Sequence, residues 1–494
     1  MKPGTLSLAL AATALLASAA QLDAAPARKP NILLIFADDL GWKDVGYQSD
    51  GKFLTPNLDR FAKEGMVFSN AYAAGANCEP SRACLISGCY TPRHGVYAVH
   101  STNRGPKKLM RLVPIPNKDG LAKRFFTIAE ALKAAGYVTG QFGKWHLNGP
   151  DGALPSQQGF DVAYDSLGYK DLDEATGGNQ PGPPEDPKGI YHLTNKACEF
   201  MEKNKDRPFF CYLAHHAIHS ALQARPATQK LIAERAEKAG VPDLYMGCTY
   251  DLDSSLKTVF DKLKELGIED NTLVVFTSDN GAVPLSPQEP LRGNKGAYYE
   301  GGVREPFIVR WPGHVKPGSH CDMPVISIDL YPTFLAAANS PLPKGVTLDG
   351  ESILPLLEQT GPLKRDAIFW HFPGYLDRPV ICGRDPVFRT RPVTAMRSGD
   401  WKMLLYHEEW QLDGGRANVE KNNSVELYNL KTDPGERDNL VLKKPEVRER
   451  LLDKLLAWMK ATDAKMPTEK NPNYDPNAKP GRQGKKRKHA KKGN

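Results

Sequence analysis

Residues Asn31–Ala37 read Asn-Ile-Leu-Leu-Ile-Phe-Ala and stop abruptly on Asp38-Asp39. A continuous apolar run of this length fits a strand covered on both faces, which only a helix-flanked sheet provides. Similar runs recur at Phe209–Ala214, Thr272–Thr277 and Phe307–Val309. Amphipathic helical stretches lie between them, at Asn57–Glu64, Ile128–Ala135, Lys196–Lys203 and Leu252–Leu266. Strands alternating with helices predict an α/β fold with a large, mostly parallel sheet. In such sheets ligands sit beyond the carboxyl ends of the strands. Asp38-Asp39 and Asp279-Asn280, which directly follow two of the runs, are therefore the first candidates for a site.

The chain has 494 residues, room for two or three domains and a large core. Its Gly and Pro content lies above the ~12% average and below the ~25–30% that marks low complexity, so many loops are expected. Two are long, Ala98–Arg124 and Gly149–Lys188, and loops of this length often form lids or substrate walls. From about Arg365 the texture changes to short alternating segments, Thr394–Met396, Trp401–Tyr406 and Val425–Tyr428. These predict a smaller antiparallel sheet closed by a helix at Leu451–Met459. The expected organisation is a leader at 1–25, a catalytic domain at 29–364, a C-terminal subdomain at 365–467 and a basic disordered tail at 468–494.

The net charge of +8 belongs to the end of the chain. Lys479, Arg482, Lys485, Lys486, Arg487, Lys488, Lys491 and Lys492 fall in the last sixteen residues with no acid among them, and the rest of the chain balances to zero. Such a run is usually solvated and disordered, with polyanion binding as the sharper reading. It gives no reason to expect nucleic-acid recognition by the body. At the other end, Lys2, the apolar stretch Leu6–Ala20 and the small residues at 17–20 fit a cleaved secretory signal. No later apolar run approaches ~20 residues, so a secreted or periplasmic protein without a membrane span is expected. Of eight cysteines, Cys78, Cys84 and Cys89 crowd within twelve residues, which is no disulfide framework.

The strongest local signal is Cys78-Glu79-Pro80-Ser81-Arg82-Ala83-Cys84-Leu85-Ile86-Ser87-Gly88. Pro80 suits a first helical turn and Gly88 a C-terminal stop, which puts Cys78 at or near the N-cap. Free backbone N–H groups and the positive helix end then point at whatever Cys78 carries, the setting of an activated nucleophile beside an anion site.

Cys-x-Pro-Ser-Arg followed by x-x-Leu-x-Ser-Gly resembles the modification signal of the type I sulfatases, a formylglycine-dependent, arylsulfatase-like family of the alkaline phosphatase superfamily. The resemblance runs from about Pro30 to about Leu440. It implies an alkaline-phosphatase-like α/β/α sandwich with a C-terminal antiparallel subdomain. It also implies that a maturation enzyme oxidises Cys78 to formylglycine, whose hydrate is the nucleophile. Asp38, Asp39, Asp279 and Asn280 match the family's metal ligands, with the oxygen of residue 78 completing a site for one Ca²⁺. Gly143-Lys144-Trp145-His146 matches the segment supplying a Lys and a His to the sulfate. Lys295, in Arg292-Gly293-Asn294-Lys295-Gly296, matches a second sulfate-binding lysine. His219 matches a histidine near the leaving group, although Ser220-Ala221 replaces the usual x-Pro, and His215 and His216 are rivals in sequence.

The implied reaction removes sulfate from a monoester. Cations and the helix end neutralise the sulfuryl group while Arg82 holds the hydrate. One hydroxyl attacks sulfur to form a covalent sulfate, and His219 or Lys295 protonates the leaving oxygen. The second hydroxyl, deprotonated by a base such as His146, collapses to the aldehyde and expels sulfate. Abundant extracellular sulfate esters make a sulfated carbohydrate the expected substrate, with His94, Arg104, Arg292, His371, Arg384 and Arg397 as wall candidates. Two other readings stay open on sequence alone. One is a phosphodiesterase or phosphonate hydrolase on the same fold, and the other is a binding protein whose Cys78 stays a thiol and whose tail holds anionic glycan.

Overall fold

The computed structural model describes residues 28–165 and 182–479. The expected leader and the basic run beyond Lys479 lie outside those residues, as does 166–181 of the second long loop. The four apolar runs all become strands, Asn31–Ala37, Phe209–Ala214, Thr272–Ser278 and Ile308–Arg310, in one eight-stranded sheet. From edge to edge the order is Ser319–Cys321, Met66–Phe68, Ile308–Arg310, Thr272–Ser278, Asn31–Ala37, Phe209–Ala214, Val138–Gly143 and Val162–Asp165. Pairing is parallel except where Ile308–Arg310 runs antiparallel to both neighbours.

Alternation along the central strand feeds two separate cores. Ile32, Leu34 and Phe36 pack with the helices at 78–87, 128–134 and 330–337. Leu33, Ile35 and Ala37 pack with those at 56–64, 190–203 and 243–265. The result is a helix–sheet–helix sandwich in which the central strand is wholly buried.

Register then decides what stands at the sheet's carboxyl edge. Ala37 pairs with Ser278, so Asp38 and Asp279 emerge side by side. Gly143 pairs with Ala214, and the Lys144 amide donates to the Ala214 carbonyl at 2.8 Å. Gly143 adopts φ 100°, and a Cβ there would stand 2.0 Å from that carbonyl oxygen. Only glycine lets the chain turn there and deliver Lys144 to the edge.

Helix Asp243–Glu265 starts nine residues before the apolar periodicity suggests. Its first half buries Asp251 and Asp253, which blur the pattern but have structural partners. Asp253 accepts the Asn57 and Leu58 amides at the start of helix Pro56–Glu64, and Asp251 pairs with Arg225 at 2.8 Å. A carboxylate on free N-terminal amides is stabilising, so the polar residues here are ties between helices.

The three expected segments become strands 393–398, 401–406 and 425–429 of an antiparallel sheet, which 368–372 joins as a fourth strand and against which helix Pro445–Ala461 packs. This sheet is joined to the catalytic side through a buried charge. Lys402, fully excluded from solvent, lies 2.8 Å from Glu300 and 3.2 Å from Glu436. Glu436 also accepts the Glu300 amide, and Tyr72 donates to the Glu300 carboxylate. Burial would raise the Glu300 carboxyl, but Lys402, Arg304 and Arg397 pull it down to about 2.

Lys402→Ala would leave Glu436 buried without its cation and Glu300 with only the more distant Arg304 and Arg397. The expected loss is about 3–5 kcal/mol, read as a lowered urea midpoint. Unpaired buried carboxyls have folded pKa values above their unfolded ones, so the deficit should shrink as pH falls and they protonate. A deficit that grows on acidification would contradict this account of the joint.

Candidate active site

Helix Cys78–Ser87 carries the strongest sequence motif, and every residue in it is buried. Asn77, with extended backbone, is the flanking residue, so Cys78 is the first helical residue rather than the cap. Pro80 sits in the first turn, and the helix stops at Gly88 with φ 69°. The Asn77 side chain makes no capping bond, which leaves the first-turn amides unspent beside Cys78.

One turn on, Arg82 is completely buried. Its Nε and Nη2 donate to one oxygen of Asp279 at 3.0 and 2.7 Å, and Nη1 donates to the Lys144 carbonyl at 2.9 Å. Nη1 also lies 3.4 Å from the Tyr212 hydroxyl. Arg82 therefore ties the cysteine helix to both carboxylate-bearing and lysine-bearing strand ends.

Asp38 accepts from Lys144, and Asp39 accepts from both Lys295 and the Asn280 amide. The Lys295 ammonium stands 4.0 Å from the Cys78 sulfur. Against the push of burial, the Lys144, His219, Arg82 and Lys295 charges hold the Asp38 carboxyl well below the usual range. Asp279 goes the other way, raised by burial and by the adjacent Asp38 charge. Burial also opposes ionisation of Cys78, yet Lys144 and Lys295 bring its thiol below the ordinary value. Cys84 and Cys89, in and just beyond the same helix, move upward through burial, Cys89 to about 12.

The donor set fits a hard divalent cation. Ligand atoms of Asp38, Cys78 and Asp279 lie within 4.8 Å of one another, as do those of Asp38, Asp39 and His219. One Asp38 oxygen and the Asn280 amide oxygen are buried with no hydrogen-bond partner. Carboxylate and amide oxygens of this kind are the ligands Ca²⁺ prefers, and a cation would satisfy both orphaned atoms.

The three histidines after strand Phe209–Ala214 separate clearly. His215 is buried with both ring nitrogens unpartnered, and His216 is half-buried with its Nε2 shut off from solvent, its imidazole kept neutral by desolvation of the ring and then by Lys144. His219 is the one at the mouth, 35% exposed, with Nε2 3.8 Å from Asp39 and Nδ1 donating to the Ser220 carbonyl at 2.6 Å. His146 takes a left-handed φ of 62°, as does Asp39 at 66°, conformations that are held at a cost near the site. Burial, then Lys144 and Arg82, lower His146 to about 3, and its Nδ1 has no partner. It is held as a neutral imidazole with one ring nitrogen free.

Two groups here carry no warning in the sequence. Lys188 donates 2.8 Å bonds to the His219 and Ala221 carbonyls and so clamps the histidine loop. Tyr212, the partner of Arg82, is hidden inside an apolar strand run, where only its hydroxyl distinguishes it from a core aromatic. Conversely, most wall candidates are structural. His94 contacts Cys84 and the Val96 amide, and His371 contacts Thr394. Arg292 lies between Tyr299 and Tyr428, Arg384 pairs with Glu409 over Tyr406, and Arg397 holds Tyr72. Arg104 is the most exposed of the six, paired with Asp377 at 3.0 Å, while Arg292 and Arg384 reach the surface only in part.

Residues 30–340 match the Sulfatase family model, and 294–462 match the model for the C-terminal region of N-sulphoglucosamine sulphohydrolase. The chain belongs to the type I sulfatase family. Human arylsulfatase A is 35% identical over 471 residues, covering 86% of each chain. Human N-acetylgalactosamine-6-sulfatase is 30% identical over 462 residues, covering 85% of this chain and 83% of its own. Among solved structures, Ps i-CgsB in complex with k-i-k-neocarrahexaose superposes with a TM-score of 0.70 at 28% identity, over 90% of this chain and 95% of that one. The sandwich is accordingly the alkaline-phosphatase-like fold, and this sulfatase is a sulfuric ester hydrolase by family.

Only Cys78 of the three crowded cysteines stands among the site's charges. Cys84→Ala and Cys89→Ala should each cost about 0.5–3 kcal/mol of stability while turnover per folded molecule persists. Turnover lost without any loss of stability would move the nucleophile away from Cys78.

Proposed function

We propose that this sulfatase is exported and removes sulfate from a sulfated carbohydrate through a formylglycine made from Cys78. The observation that carries the reading is the placement of Cys78. It begins a buried helix whose free amides, with Lys144 and Lys295, surround the position a sulfuryl group must occupy. The proposed organisation is a leader at 1–25, a catalytic unit at 29–364, a C-terminal unit at 365–467 and a segment from 468 whose first residues bond back to 107–113, the Val113 amide donating to the Glu469 carbonyl at 2.8 Å, and whose basic end lingers on polyanions. Among the described residues no helix is long and apolar enough to cross a membrane.

Charge arithmetic supports the choice of substrate. Asp38, Asp39 and Asp279 are matched by Arg82, Lys144 and Lys295, so these six groups sum to zero. Asp38, Asp39, Asp279 and Asn280, with the oxygen of residue 78, would hold Ca²⁺. That ion would supply the surplus positive charge a sulfuryl group needs and polarise its oxygens. The oxidation of Cys78 to formylglycine falls to a separate maturation enzyme.

The residues then divide the work. Arg82 fixes the hydrate at position 78, and Lys144, Lys295 and the helix amides bind the sulfuryl oxygens. One hydrate hydroxyl attacks sulfur as the bond from sulfur to the leaving oxygen breaks. His219, partly exposed at the mouth, delivers the proton to that oxygen. His146, held neutral, takes the proton from the second hydroxyl, whose electrons form the aldehyde and expel sulfate. Water restores the hydrate. An ordinary serine or cysteine ester has no second hydroxyl and would have to wait for water.

The Cys78 peptide from active protein should show the loss of sulfur and two hydrogens and the gain of one oxygen. Cys78→Ala should fold normally and release no sulfate from an aryl sulfate. Substantial turnover by that variant would end the proposal.

The metal assignment is tested by Asp279→Ala. Removing one charged ligand should take bound calcium, read by elemental analysis, and sulfate release down together. Full activity after exhaustive chelation, with no metal present, would contradict the assignment.

A further inference from the structure

Lys295 has a second face. Its backbone carbonyl, turned away from the nucleophile, accepts a 2.9 Å hydrogen bond from Nη1 of Arg389. Arg389 lies directly over Gly296, where a Cβ would stand 2.2 Å from the arginine Cδ, so glycine is what admits it. Its Nε is buried with no hydrogen-bond partner. The guanidinium thus sits one lysine side chain away from Cys78 with donors unspent.

Arg389 belongs to a short strand, Phe388–Thr390, paired with Leu376–Asp377 across an irregular register. That ribbon also presents Arg378, whose side chain is 75% exposed. Arg104 arrives from the long loop at 98–124, whose Gly105 packs on Phe388. Arg104 and Arg378 share one acid at this rim, Asp377, at 3.0 Å and 3.9 Å, and Arg389 lies close enough to feel the charges of all three. Burial, followed by the charges of Arg104 and Arg378, lowers Arg389, the mark of crowded cations with too little anion between them. Arginines forced together this way are stabilised when an oxyanion bridges them.

We propose that Arg389, Arg104 and Arg378 form a subsite for a second anionic group of the substrate, carried beside the sulfate being cleaved. The inference rests on the sulfatase reading and narrows its substrate class to carbohydrates with at least two negative charges. A carboxylate of a neighbouring uronic acid and a second sulfate present the same chemistry to guanidinium forks, so both are to be tried.

The test measures kcat/KM for an aryl sulfate, for a sulfated hexosamine joined to a hexuronic acid, and for a hexosamine bearing two sulfates. Each variant is judged by the ratio of a doubly charged substrate to the aryl sulfate on the same preparation, which cancels general damage to the site. The wild type should favour a doubly charged saccharide. Arg389→Ala and Arg104→Ala should lower that ratio roughly ten-fold, the effect of losing one charge-assisted hydrogen bond. Arg378→Glu, on an exposed side chain, should lower it as well, and added salt should restore part of the loss by screening. Whichever saccharide loses more identifies the natural anion. If the wild type cleaves the aryl sulfate but does not favour either saccharide, or if the ratio is unchanged in all three variants, the subsite is wrong while the sulfatase reading stands. If the wild type releases no sulfate from any of the three, it is the sulfatase reading that has failed.

Discussion

Three carboxylates gathered without solvent at the edge of one sheet set the terms for everything near them. Asp38 and Asp279 stand on adjacent parallel strands because Ala37 is in register with Ser278, and Asp39 follows at once. Burying such a group is tolerable only with matched charge close by. Arg82, Lys144 and Lys295 are that charge, and each comes from a different element. Satisfying the carboxylates therefore assembles the site. The helix that brings Arg82 brings Cys78, the turn that brings Lys144 brings His146, and Lys295 reaches the sulfur itself.

The C-terminal sheet contributes by fixing where that third lysine lies. Lys295 precedes the short helix Glu300–Val303, and Glu300 is gripped by Lys402 from the antiparallel sheet and by Glu436 beyond it. Arg292, on the other side of Lys295, is held between Tyr299 and Tyr428 and bonded to the Glu436 carbonyl. Both flanks of the lysine are thus anchored in the smaller sheet. This explains why a buried ion network with no direct access to substrate lies between the two sheets: it transmits position rather than chemistry.

Much of this was legible in the residues. Buried strands announced themselves as unbroken apolar runs, and acids placed directly after them marked the sheet's functional edge. The cysteine motif identified its helix through Pro80 and Gly88. The limits of that legibility were physical too. Helix Asp243–Glu265 began earlier than its periodicity because Asp251 and Asp253 are buried polar ties, and composition cannot separate a tie from a solvated face. Lys188 stands at the end of a long loop with nothing local to mark it, since its role exists only after the His219 loop folds against it. Arg292, Arg384 and Arg397 stood open between a wall role and an ordinary fold role and proved structural; an arginine stacked on tyrosine and one facing substrate have the same sequence.

The central claim is that residue 78 attacks sulfur and needs two hydroxyls to turn over. The direct measurement is the intact mass of a Cys78→Ser variant incubated with excess aryl sulfate, followed by mapping of the peptide containing position 78. The account predicts one SO₃ group added at position 78 and no sustained release of sulfate, since a single hydroxyl can form the ester but cannot expel it. Sustained turnover by this variant, or an SO₃ group attached at any other residue, would contradict it.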